Sequence, residues 1–371
     1  MKQLRTVPAS RLDRIAQARQ VALYDRHGQS GLIDAWIEQS WQRCLSRGQQ
    51  VNDTVVFEAV SRSSMAATSE FNRVLVETAR PVIRQLARAI ADTRYFAILT
   101  NHQGVVVDVD GVMDPSDKRV SAIARVGVDL SEQTVGTTAI GAALTELRPV
   151  WLHRGEHFFK DNSVYSCAGA PLFGPEGQCV GMLDLTGVET AERPELRHLV
   201  AQSVRNIENA MVLKQQHHMM LRVNWPGTAL GLESDGLIGV DEDGVVVGAN
   251  QAARSLLPNL QQLQHNTLHC RDLFATPHEL LFDAALRQNT LETPLWNGLR
   301  LQVNANLTTH LSSSARPNIK STELQAGMPL KDLETTLIRQ SVEEHKGNVA
   351  EAARKLGISR ATVYRKLKAK R

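Results

Sequence analysis

Lysine and arginine gathered on one short helix can grip a phosphodiester backbone, and this chain gathers them at its end. From Glu343 to Arg371 there are nine Lys/Arg against three Glu, a net +6. The 371 residues together carry +3, so residues 1–342 carry −3. An acidic body with a compact basic tip is the charge layout of a sensor with a nucleic-acid-binding end. Within the tip, Ser359 is placed to cap a last helix, Arg360 to Lys368. Its open face would show Arg360, Thr362, Tyr364, Arg365 and Lys366, with Lys368 following, so that bases and phosphates can both be met.

Other chemistry is thinly supported. The four cysteines (Cys44, Cys167, Cys179, Cys270) never form a C-x-x-C pair, which excludes a disulfide scaffold and a zinc ribbon and suits a reducing cytosol. His265, His269 and Cys270 lack a second ligand pair, and His217-His218-Met219-Met220 ends a long helical pattern, so no metal site is expected. Asp235, Asp241 and Asp243 read as turn residues. No Ser-His-Asp or H-E-x-x-H pattern occurs, and no apolar run approaches the ~20 residues of a membrane helix.

The positioning elements follow from periodicity. Residues 1–92 read as a helical region, with a helix near Leu32 to Leu45 and another over Val55 to Ile90 that starts anew at Pro81. Residues 93–190 change period. Strands at Tyr95–Thr100 and Val105–Val109 flank a turn, a helix runs Thr137–Leu147, and strands at Ser166–Phe173 and Cys179–Thr186 flank Gly174-Pro175-Glu176-Gly177. Residues 191–225 read as a long connecting helix, to about Leu221. Residues 230–307 hold a second small α+β unit: strand 237–240, strand 245–249, Asn250 capping a helix to Leu257, a helix at His278–Arg287 and a strand at Arg300–Ala305. Residues 308–329 read as a flexible linker. Residues 330–371 are all-helical, with Ala353, Gly357 and Val363 at helix-turn-helix offsets: small at the crossing, permissive in the turn, apolar in the core. The fold class expected is multi-domain α+β.

From Lys346-Gly347-Asn348 through Ala352 to Lys368, the tip closely resembles the Fis-type helix-turn-helix of bacterial enhancer-binding proteins. The resemblance implies a homodimer on an inverted repeat of double-stranded DNA, with Asn348 as a further contact. Val349, Ala350 and Glu351 depart from the Gln-Thr-Arg of Fis itself, which moves the weight onto the last helix. Ser40-Trp41-Gln42-Arg43-Cys44, Ser131 to Gly141, Glu156-His157-Phe158, Cys167 to Leu172 and Gly181 to Gly187 are similar to the acetoin catabolism regulator family of sigma-54 enhancer-binding activators. That resemblance implies a GAF-like sensor domain over 93–190. The segment Asp235 to Leu257 resembles the start of a PAS domain. The family's AAA+ ATPase needs a G-x-x-x-x-G-K-[ST] loop, and no Gly-Lys-Ser or Gly-Lys-Thr occurs here.

These readings combine into a cytoplasmic, non-enzymatic transcriptional regulator with no cofactor, acting as a dimer with a small-molecule effector and with RNA polymerase as a further partner. Effector-binding candidates are Glu132, Thr137, Thr138, His157 and Cys167. The alternatives are a GAF-fold redox enzyme using Cys167 or Cys179, or an accessory DNA-binding protein that ignores ligands.

Overall fold

A computed structural model describes residues 10–25, 29–57 and 60–308, together with Val342, Val349 and Val363. The linker reading and the DNA-binding candidates Asn348, Ser359, Arg360, Thr362, Tyr364, Arg365, Lys366 and Lys368 lie outside the described residues. The chain divides into two units, residues 1–310 and 311–371. In the second, Val342, Val349 and Val363 are helical, and Val363 is fully buried.

The first helices form a collar. Helix α1 (Arg11–Arg19) starts at a capping box in which Ser10 and Asp13 satisfy each other's backbone N–H. It runs on as a π-helical turn, Gln20–Tyr24. Helix α2 (Ala35–Ser46) buries Trp36, Ile37, Trp41 and Cys44. Helix α3 (Arg62–Phe71) ends at Asn72, and α4 (Arg73–Ala89) passes straight through Pro81. The restart expected at Pro81 is therefore displaced to Asn72. Pro81 and Glu77 both face solvent, so the carbonyl that proline leaves without a partner is hydrated at little cost.

A five-stranded antiparallel sheet comes next. Its strands are β1 (Tyr95–Asn101), β2 (Val106–Gly111), β3 (Val150–His153), β4 (Tyr165–Phe173) and β5 (Cys179–Val188), in the order β2-β1-β5-β4-β3. Between β2 and β3 lie α5 (Lys118–Ile123), α6 (Glu132–Val135) and α7 (Ala139–Glu146). Period-two alternation divides the sheet's side chains between two cores. Phe96, Ile98, Cys167 and Met182 pack inward with α2 and α7. Ala97, Leu99, Ala168, Leu183 and Leu185 pack on the other face against α4 and α8 (Leu196–Lys214). Each fully buried Leu, Ile or Val there contributes roughly 1.5–3 kcal/mol.

The second sheet holds β6 (Met219–Asn224), β7 (Gly236–Val240), β8 (Val246–Ala249), β9 (Thr290–Pro294) and β10 (Arg300–Leu307). Its order is β8-β7-β6-β10-β9. Helices α9 (Gln251–Leu256), α10 (Cys270–Leu273) and α11 (His278–Arg287) cover it. Here the long helix read over 191–225 is corrected: it stops at Lys214, and Met219–Asn224 is the central strand. Met219, Leu221 and Val223 are an alternating triplet buried in the core of the second sheet, with pairing partners on both sides. Three residues of Met and Leu after a helical stripe fit either period, and tertiary pairing decides the matter.

Candidate ligand site

A cavity opens on the inner face of the first sheet, under α5–α7. The antiparallel register builds its floor. Cys167 on β4 pairs with Thr186 on β5, and Gly169 pairs with Asp184. Residues two apart on β5 share a face, so Asp184 and Thr186 both point inward. At Gly169 a Cβ would come within 2.6 Å of Met182 Cε and 3.1 Å of the Ala139 carbonyl, so glycine there lets the start of α7 sit directly on the sheet. Ile98, Ile123, Leu130, Val135, Ala139, Ile140 and Phe57 supply apolar walls; Thr138, His157, Asn162 and Tyr165 complete the lining. The atom-free space is about 360 Å³, of which only about 30 Å³ is wide enough for the centre of a water molecule.

Two polar atoms of this lining have no hydrogen-bond partner among the described residues: His157 Nε2 and Asp184 Oδ1. Both residues are buried. His157 Nδ1 lies 2.9 Å from the Arg154 carbonyl and donates to it, which leaves Nε2 of the neutral ring as an acceptor. Burial holds the imidazole down at about 4, so it is uncharged at neutral pH. Burial pushes the Asp184 carboxyl up to about 7, only partly offset by the Thr186 hydroxyl that donates to Oδ2. The thiol of Cys167, 3.4 Å from Thr186 Oγ1, is pushed well above its usual value by burial. Orphaned buried polar atoms cost roughly 1–3 kcal/mol each, so a pair of them on one cavity favours a partner there, whether water or a ligand.

The five candidates read from sequence separate into two groups. Thr138, His157 and Cys167 line the cavity. Glu132 and Thr137 are not among its lining residues. Glu132 accepts from Arg43 Nε (2.9 Å) and Nη2 (2.8 Å), Arg47 Nη1 (3.0 Å) and Ser40 Oγ (2.6 Å). Burial alone would raise its carboxyl, but Arg43, Ser40 and Arg47 outweigh that and hold it below its ordinary value. Thr137 Oγ1 is 2.7 Å from Ser40 Oγ and 3.7 Å from Cys44 Sγ. Both residues fasten α2 to the sheet domain. The residues missed are Asp184, Thr186, Asn162, Tyr165 and Phe57. The run Gly181–Gly187 carried a signal, an Asp and a Thr two apart in an otherwise apolar strand.

His269 packs edge to face on His278 with ring centroids 4.7 Å apart. His269 caps α10, with Nε2 on the Asp243 carbonyl at 2.8 Å, and burial pushes the Cys270 thiol up to about 12. Asp235 and Asp241 accept from nearby backbone N–H groups, as turn residues do. Among the described residues no group of three or more metal-ligating side chains forms, and no helix is long and apolar enough to cross a membrane.

The β4–β5 hairpin reaches away from the cavity to the second sheet. The Pro175 carbonyl accepts from Ala249 N (2.8 Å) and Arg254 Nη2 (2.7 Å). Gln215 Nε2, just past α8, donates to the Val247 carbonyl at 2.6 Å, and Asn250 Nδ2 donates to Asn209 Oδ1 at 2.7 Å.

An α+β body with a cavity precedes a basic C-terminal stretch, and residues 329–369 of that stretch match the model described as bacterial regulatory protein, Fis family. Residues 15–209, more than half of the 371, match the model described as MimR, N-terminal domain, and the chain belongs to that family. Among curated relatives, the acetoin catabolism regulatory protein of Cupriavidus necator is 29% identical over 236 residues, covering 60% of this chain and 34% of that one. A signal-transduction and transcriptional-control protein of Clostridium beijerinckii is 25% identical over 222 residues, 60% of this chain and 35% of that one. The chain thus matches about a third of the length of these relatives. The solved E. coli DhaR(N)–DhaL complex is similar with a TM-score of 0.46 and 14% identity, over 74% of this chain and 100% of that one.

Proposed function

We propose that the protein is a cytoplasmic, ligand-responsive transcription regulator that binds an inverted repeat as a homodimer and has no catalytic activity of its own. In this reading residues 93–190 are a GAF-like sensor, 230–307 a PAS-like domain, and 330–371 the DNA-binding domain. The observation that carries the reading is the pair of orphaned atoms, His157 Nε2 and Asp184 Oδ1, on one buried cavity in a chain that ends in a Fis-type match. The apolar walls, the neutral imidazole and the raised carboxyl suit a small uncharged molecule with hydrogen-bonding groups. An anionic effector would have to leave water for a cavity with no lysine or arginine in its lining. The names of the relatives, regulators of acetoin catabolism and of a propane 2-monooxygenase operon, support an effector of that size class.

The mechanism is linkage. A ligand that fits one sensor state better shifts the population, and with it the half-site spacing that two recognition helices can reach. The redox alternative needs a thiolate, and burial pushes both the Cys167 and the Cys179 thiol up. The test is selection of binding sites from sheared genomic DNA at a stated salt concentration, followed by titration of small uncharged polar compounds onto the selected site. A recurring inverted repeat whose affinity responds to one of them supports the reading. Motif-free binding, or a motif insensitive to every compound, refutes it in favour of an accessory DNA binder.

A further inference from the structure

We infer that Phe57 sets the size of molecule the cavity admits, as the movable wall of a strap formed by residues 51–57. The inference rests on the reading that the cavity holds an effector. Only about 30 Å³ of the cavity admits the centre of a water molecule, little more than two waters need. Any effector with a carbon skeleton must therefore displace a wall. Of the lining residues, only Phe57 and Thr138 are not fully buried. Thr138 is fixed, because its Oγ1 accepts from Gly141 N and caps α7. Moving it would cost about 1 kcal/mol of helix capping. The other lining residues sit on strands, in helices or in turns packed within the inner core.

Phe57 sits in a segment that is neither helix nor strand. The strap is held at Val51, whose carbonyl accepts from Lys160 N at 3.0 Å, and at Val55, whose N donates to Asp161 Oδ2 at 3.2 Å. Beyond it, Val60 seats on Gly127, where φ is +90° and a Cβ would fall 2.6 Å from Val60 Cγ1. Among the described residues no backbone hydrogen bond holds Val56 or Phe57 themselves. Phe57 packs on the inner core but is only half-buried, and it can swing outward without breaking a backbone hydrogen bond among the described residues. The bulk at position 57 then decides how long a ligand fits once the strap is down.

The test uses the full chain as wild type, Phe57→Ala, Phe57→Leu and Phe57→Trp. Linear terminal diols from ethylene glycol to octanediol, which offer hydroxyls to His157 Nε2 and Asp184 Oδ1, are followed by saturation-transfer NMR. The longest diol bound should lengthen by about two carbons or more in Phe57→Ala, less in Phe57→Leu, and shorten in Phe57→Trp. Phe57→Leu keeps most of the packing and guards against a variant that does not fold. If wild type binds short diols and all variants share one length cut-off, the inference fails while the cavity reading survives. If no chain binds any diol, both fail.

Discussion

Replacing Asp184 by Asn should flatten the pH dependence of the sensor's stability. The carboxyl sits at about 7 in the folded chain against an ordinary 3.8, raised by complete burial. A carboxyl raised on folding stabilises the fold fully below its unfolded value, and that contribution is lost as pH climbs through the folded value. The gap of about three units corresponds to about 4 kcal/mol, lost between the two values and constant above pH 7. Asparagine keeps the shape and an acceptor for the Thr186 hydroxyl but cannot ionise. Between pH 5 and pH 8, wild type should therefore lose about 3 kcal/mol more than Asp184→Asn in urea unfolding. Fluorescence of the buried Trp36, Trp41 and Trp151 reports the transition. Glu208, also raised to about 7 by burial, is common to both proteins and cancels in the difference. Parallel stability curves for the two proteins would show that Asp184 is solvated or paired, and the argument for an orphaned acceptor would fall with it.

Glu132→Gln should destabilise the sensor by about 1–3 kcal/mol, because Arg43 and Arg47 lose their carboxylate. Thermal unfolding checks this, with diol binding unchanged. Since its folded value is depressed, the contribution of Glu132 is present above the ordinary carboxylate value and lost as pH falls through the folded one. Arg254→Ala removes the donors to the Pro175 and Leu260 carbonyls and should raise amide exchange across residues 246–256 while leaving the first sheet protected. Arg360→Ala should cost about 1–3 kcal/mol on the selected operator if Arg360 reads a base, whereas equal loss on random DNA would make it a phosphate contact. Deleting residues 331–371 should abolish DNA binding and leave the sensor's thermal transition in place; retained binding would put the footprint elsewhere.

Legibility in the sequence followed the strength of each local signal. The hairpins at Asn101–Gly104 and Gly174–Gly177, the Asn250 cap and helix α11 were readable because turn residues and caps act within a few positions of themselves. Strand β6 was not, because Met219–Leu221 satisfies a helical stripe as well as an alternating one, and only β7 and β10 choose between them. The cavity divided along the same line. His157 and Cys167 stood out as residue types, while Asp184 and Thr186 were visible only as part of a family marker. Their chemistry comes from burial, which is decided by the helices packed above them. Glu132 stood out as a carboxylate, and only the fold shows that Arg43 and Arg47 hold it.

The wiring of the fold gives the proposed signal a physical route. The β4–β5 ladder carries Cys167, Asp184 and Thr186 at the cavity and Pro175 at its far turn, where Ala249 of β8 and Arg254 of α9 donate to the Pro175 carbonyl. A ligand changes an equilibrium only by binding its two states unequally. Satisfying Asp184 Oδ1 and His157 Nε2 supplies such a difference to the extent that one state offers both atoms to the ligand and the other does not, since each unmet buried group costs about 1–3 kcal/mol. A coupling of that size corresponds to roughly 5–150-fold in affinity. The same ladder also carries the outer-face residues Leu172, Leu183 and Leu185 that pack with α8, so a shift of β5 is felt by the helix that leads to the second sheet. Arg254→Ala removes one of the two donors to the Pro175 carbonyl and leaves the Ala249 N–H in place. An operator response that weakens while effector still binds puts signal through the hairpin; an unchanged response argues for α8.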